Sequence, residues 1–156
     1  MEKDSIRIVQ QETDFVRGVL PVKYLGVPLD SKKLNVLEYK PLIDKMLSRI
    51  NHWSTRLLSY AGRFLLVKSV LFSIANYWMQ IFALPKKIIH HIEALCRRFL
   101  WTRSDIKTKK AHVAWDQVCN PKKVGGLNMI SLVEWNQATI GKMIWNLNEK
   151  KGQVVD

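Results

Sequence analysis

Cysteine is scarce: Cys96 and Cys119 are the only two in 156 residues, so no disulfide framework can staple this chain. Each lies in an apolar pattern, where a reduced, buried thiol is the usual state. Glycine and proline are also few, 7 and 5, so with its hydrophobic content the chain is not disordered in bulk. The charged opening Met1–Asp4 is followed by no apolar h-region, so no secretory leader is expected and the chain is placed inside the cell, the nucleus included. There is no adjacent aspartate pair, no phosphate-cradling glycine loop, no G-x-S-x-G and no H-E-x-x-H. Two-metal polymerase or nuclease chemistry needs clustered carboxylates, and the seven aspartates are scattered singly from Asp4 to Asp156. The expectation is therefore a non-enzyme, with no catalytic residue and no cofactor. His90 and His91 are adjacent and would project about 100° apart on a helix. With Cys96, His112 and Cys119 they supply zinc-type ligands, but no C-x-x-C pair supports a site, and no metal is assigned.

Acid is the other shortage. Thirteen Asp and Glu face 25 Lys and Arg, a net charge of +12. Residues 1–85 carry 12 basic and 7 acidic side chains, 86–123 carry 10 and 3, and 124–156 carry 3 and 3. A basic block in the middle of an apolar chain points to a polyanion, nucleic acid before anionic membrane. A solvated face that keeps the protein soluble explains the same block.

With 47% hydrophobic residues the chain can bury a single-domain core. The organising stretch is Leu57–Pro85. Within it Ser69, Ser73, Asn76 and Gln80 recur at helical spacing as one narrow polar stripe. Val67, Val70, Leu71, Ile74, Tyr77, Trp78, Ile81 and Phe82 cover the rest of the circumference, which predicts a central helix buried nearly all round and ended by Pro85. From Ser69 to Leu84 only 16 uncharged residues remain, fewer than the roughly 20 that span a bilayer, so a core helix is expected and membrane is not a partner.

The rest of the chain arranges itself around that helix. Ser5 can cap a short helix with Ile6 and Val9 on one face, ending near Gly18. Val22–Leu29 reads as an extended strand, half of a hairpin. A helix from about Asn35–Pro41 to Trp53 or Arg56 turns Tyr39, Ile43, Met46, Ile50 and Trp53 inward, onto the central helix. Another, from about Lys86 to Trp101, has the stripe Ile88, Ile89, Ile92, Leu95, Cys96 and Phe99 opposite Lys87, His90, His91, Arg97 and Arg98. Ala111–Cys119 is expected to be part-extended and Asn120–Gly126 a turn. Ser131 and Glu134 fit a capping box that opens a last helix to about Asn148, with Leu132, Trp135, Ile140, Met143, Ile144 and Leu147 inward. The fold class is thus mainly α: a bundle of four or five helices around one long apolar helix, with a short β segment near residues 22–29.

Several stretches carry a resemblance. YLGVPL at Tyr24–Leu29, YKPLIDKMLSRINHW at Tyr39–Trp53, LSYAGRFLLVKSVL at Leu58–Leu71, FLW at Phe99–Trp101, VAWDQVCNPKKVGGLNM at Val113–Met129 and WNQATIGKMIW at Trp135–Trp145 resemble, in order and spacing, the reverse transcriptases of plant-type non-LTR (LINE) retrotransposons. The resemblance implies the region downstream of the polymerase palm. Residues 1–35 would be the end of the palm and primer grip, 36–150 a helical thumb-like or connection domain, and 151–156 a tail. The family's aromatic-Ala-Asp-Asp motif lies upstream of YLGVPL, and nothing here matches it. The chain also ends before the family's Cys/His-rich segment, so a fragment unable to polymerise alone is expected.

By family position Lys23, Tyr24 and Gly26 would lie near the primer end, and Gly62, Arg63 and Lys68 at the start of the long helix. Charges on so apolar a helix cost desolvation unless they face water or phosphate, and snorkelling at the helix end is the competing explanation. Arg97, Arg98, Arg103, Lys107, Lys109 and Lys110 form the basic cluster, either a phosphate-binding face or solvated surface. Trp53, Trp78, Trp135 and Trp145 fall on apolar faces and are assigned to the core. Trp101 and Trp115 flank the basic loop, where stacking on a base stays open. The expected partner is an RNA–DNA or DNA duplex held by its phosphate backbone. The alternative is a structural remnant with no nucleic-acid role, which associates with itself or with a palm-containing polymerase segment through exposed apolar surface.

Overall fold

The computed structural model describes residues 8, 12–13, 18–20, 22–30, 34–101 and 114–152. The chain divides into two compact units, Met1–Glu38 and Tyr39–Asp156.

In the first unit, β1 (Val22–Tyr24) and β2 (Val27–Leu29) pair antiparallel, with Val22 opposite Leu29, Lys23 opposite Pro28 and Tyr24 opposite Val27. The stretch expected to supply half of a hairpin supplies both halves. A two-residue turn suffices because Leu25 and Gly26 both take positive φ, 50° and 83°, the handedness that matches strand twist. Gly26 adopts that conformation freely, whereas Leu25 does so against its own preference. Ile8 and Glu12 are helical, but the expected cap Ser5 and the face residues Ile6 and Val9 lie outside the described residues.

The second unit is helical. A 3-10 turn, Val36–Tyr39, leads into α1 (Lys40–Ser54), where Pro41 sits in the first turn and so forfeits no hydrogen bond. Leu42, Met46 and Ile50 are its buried positions, while Ile43 and Trp53 flank them half-buried, a modest rotation of the expected face.

Ser59, in extended conformation, opens the central helix by accepting the Gly62 N–H at 3.1 Å. That helix comprises α2 (Tyr60–Leu66), a π turn (Val67–Leu71) and α3 (Phe72–Met79). Hydroxyls explain the wider turn. Ser69 donates to the Leu65 carbonyl and Ser73 to that of Ser69, competing with backbone amides, and the Phe72 N–H reaches back five residues to Val67. Burial covers one broad side, Val67, Leu71, Phe72, Ala75, Trp78 and Met79, rather than nearly the whole circumference. Ser69, Ser73 and Gln80 are exposed as expected, but Leu65 and Tyr77 are exposed with them. The helix also stops at Met79, not at Pro85. Pro85 instead begins α4 (Lys86–Trp101), its carbonyl accepting the Ile88 and Ile89 amides.

On α4 every residue of the expected stripe is buried, with Leu100 added. Trp115–Cys119 forms a short helix, α5, rather than extended chain, because Trp115 and Val118 bury one turn apart. A 3-10 turn (Lys122–Val124) and Gly125 at φ 87° reverse the chain. Gly126 fits where a Cβ would stand 1.9 Å from the Asn120 carbonyl oxygen. Finally α6 (Leu132–Gly152) starts at Ser131, whose hydroxyl accepts the Glu134 N–H at 3.5 Å.

Helix α1 packs on α3 and α4: Tyr39, its N-cap residue, lies against Trp78 of α3 with ring centres 6.1 Å apart, and Trp53 against Phe99 of α4 at 5.8 Å. Helix α6 crosses α3 and α4. There Asn136, 7% exposed, accepts the Leu84 N–H at 3.2 Å and donates to the Leu84 carbonyl at 3.1 Å. Of the inward set expected on α6 only Leu132 is buried. Trp135, Ile144 and Leu147 are exposed, and so is Trp145, assigned above to the core. The Trp135 ring makes a surface link instead, donating to Asn76 at 2.7 Å. The described residues are mainly helical, with six α-helices, two of them joined through the π turn as the central helix, and one two-stranded sheet. Among them no helix is long and apolar enough to cross a membrane.

Candidate nucleic-acid interface

Three helix ends of the second unit meet around a cleft of about 600 Å³. The end of α1, the link to α2, the first turn of α2 and the last turn of α4 supply its lining. The link is shaped locally. Ser54 donates to the Ile50 carbonyl and Thr55 to that of His52, drawing off the last acceptors of α1. The Arg56 N–H then closes on Trp53 and the Leu58 N–H on Arg56. This tight reversal leaves Arg56 at the cleft, and Ser59 places Arg63 one turn into α2, its N–H bonded to the Ser59 carbonyl at 3.0 Å. Arg98 enters from α4.

Arg56, Arg63 and Arg98 therefore line one concavity, and none of its other lining side chains is acidic. Guanidiniums carry fixed charge at every physiological pH and present forked donors that match phosphate or carboxylate oxygens. Trp53 and Phe99, tilted 41° to each other, form the aromatic part of the lining, and Leu57 stands fully exposed beside it.

The candidate residues disperse unequally. Arg63 and Arg98 come together in the cleft. Arg97 is half-buried elsewhere on α4, and Lys68 stands on the exposed side of the π turn with Ser69. Lys23 and Tyr24 are exposed on β1 and Gly26 forms the hairpin turn, all in the first unit. Arg103, Lys107, Lys109 and Lys110 lie outside the described residues, as does His112. Arg56 joins the site without having been singled out. Its signal was position: a basic residue in a short break between two helices, just ahead of a serine cap.

Of the two tryptophans beside the basic loop, Trp115 is buried. Trp101 packs against Tyr60 with ring centres 5.1 Å apart, at an apolar slot of about 270 Å³ completed by Gln117, Val118, Gly125 and Leu127. Burial raises the Tyr60 phenol above its usual range, against the pull of Arg63. On α4 the Glu93 carboxyl is also raised, by burial above all, although His90 at 3.4 Å and Trp115 favour its ionised form. Burial pushes the Cys119 thiol up to about 11 and Cys96 higher still, so both stay protonated and unreactive at neutral pH. Among the described residues no three His, Cys, Asp or Glu side chains are grouped to hold a metal ion.

No known protein-family profile matches the chain. Over 128 residues, 82% of its length, it is 34% identical to a protein of Arabidopsis thaliana provisionally named a ribonuclease H protein. The chain spans about a fifth, 21%, of the length of that curated relative.

Proposed function

We propose that this chain is a nucleic-acid-binding region of a larger retroelement-type polymerase, thumb-like in role, that holds a primer–template duplex by its backbone phosphates and performs no chemistry itself. The carrying observation is the cleft where Arg56, Arg63 and Arg98 converge without an acidic side chain in its lining. Holding a duplex by its backbone asks for cations on rigid elements rather than for groups that read base edges. Arg63 and Arg98 stand on helices α2 and α4, and Arg56 in the hydrogen-bonded reversal between α1 and α2. The net charge of +12 adds long-range attraction. The relative's name is that of a nucleic-acid enzyme, and a match to 21% of it suits a binding segment within a larger protein. The singly scattered aspartates support binding without catalysis.

A second reading, a structural remnant that associates through apolar surface, draws on the exposed Ile144, Trp145 and Leu147 of α6. Fluorescence-anisotropy titration of a labelled RNA–DNA primer–template across a salt series separates the two. Phosphate binding weakens steeply with salt, whereas apolar association is flat or strengthens. Primer extension by the purified chain with magnesium or manganese would overturn the non-catalytic part of the proposal.

A further inference from the structure

The arginines do not lie on a flat track. They line a concavity whose volume, about 600 Å³, falls within the roughly 300–1,000 Å³ of sites that enclose small ligands. A stacked, paired nucleotide offers such a hollow only its phosphate. An unpaired nucleotide offers both parts of itself: a phosphate for the guanidiniums and a flat base for an aromatic ring. Trp53 is half-buried, lines the cleft beside Arg56, and is braced by Phe99 at 5.8 Å, which limits its reorientation. The Ser54 and Ser59 hydroxyls in the same lining are engaged with helix backbone, at Ile50 and Gly62, which leaves the Asn51 amide as the neutral polar side chain of the wall that can meet a base edge.

We infer that the cleft receives one unpaired nucleotide at the junction of a duplex and its single-stranded extension, its base stacked on Trp53, and its phosphate with those of the adjoining nucleotides on Arg56, Arg63 and Arg98. The inference rests on the phosphate-binding reading above and adds the form of nucleic acid that the site selects. It follows that a duplex with an overhang binds more tightly than the same duplex cut blunt.

The test uses the full chain and three anisotropy probes: a blunt RNA–DNA duplex, the same duplex with a short overhang, and an overhang duplex carrying 2-aminopurine as its first unpaired base. The overhang should bind at least about 5-fold more tightly, the low end of the gain expected of one base–aromatic stack. The 2-aminopurine emission should be quenched on binding. Trp53→Ala should erase the preference and the quenching, while Trp53→Phe restores most of both. Should Trp53→Ala fail to fold, by circular dichroism, the phenylalanine variant and the 2-aminopurine signal decide alone. Equal affinity for blunt and overhang duplexes without quenching, under a steep salt slope, would overturn this inference and leave the phosphate-binding proposal standing. Failure of every probe to bind would overturn both.

Discussion

Asn136 shows how much one side chain carries. Its amide answers both backbone groups of Leu84, in the turn between α3 and α4, from 52 residues away. Alanine there would leave a buried N–H and a buried carbonyl without partners. Each orphaned group costs about 1–3 kcal/mol, so Asn136→Ala should lower stability by roughly 2–6 kcal/mol in urea unfolding. Glu93 acts in the opposite sense. Its folded-state pKa is raised above the ordinary 4.5 by burial, with Asp116 adding to the rise and His90 and Trp115 opposing it. The folded protein thus holds that proton more tightly than the unfolded chain. The stability it confers is present at acid pH and is lost as pH rises through the raised value. Glu93→Gln should flatten that fall, seen as a smaller loss of melting temperature between acid and neutral pH than in the parent protein.

At the scale of the element, the π turn at Val67–Leu71 coincides with two serines bonded to carbonyls four residues back. Removing both hydroxyls returns those carbonyls to the backbone amides and adds a better helix former. Ser69→Ala/Ser73→Ala should therefore raise stability by about 0.5–1 kcal/mol, checked by urea unfolding. Elements were legible in the sequence where one rule acted alone. Helix α4 was readable from end to end because Ile88, Ile89, Ile92, Leu95, Cys96 and Phe99 hold helical spacing without interruption. The central helix was readable in its polar stripe but not in its end. Asn76, Trp78 and Leu84 settle where it stops, through capping and the long-range bond to Asn136, and Pro85 serves the helix that follows. The second strand of the hairpin escaped notice because Leu25 at positive φ is an uncommon choice for a tight turn. On α6 periodicity predicted an apolar face but could not say that only its first turns have a neighbour in the described structure. Of the cleft, Arg63 and Arg98 could be named from charge and helix position. Arg56 and the part of Trp53 could not, since a break between helices declares its geometry only once both helices are in place.

At the scale of the molecule, a helical unit whose core is tied by Tyr39–Trp78, Trp53–Phe99 and Asn136–Leu84 brings three arginines from separate elements to one concavity. The net charge of +12 would give some salt dependence to any basic protein, so the decisive quantity is the share that belongs to the cleft. The measurement that tests this most directly is the slope of log affinity against log salt for an RNA–DNA primer–template, in the parent chain and in Arg56→Ala/Arg63→Ala/Arg98→Ala. Each phosphate neutralised adds about 0.7–0.9 to the slope, so the triple variant should be shallower by about 2–3 and weaker on every sequence tested. An unchanged slope and affinity, in a variant shown by circular dichroism to be folded, would contradict the assignment of the cleft as the phosphate-binding site.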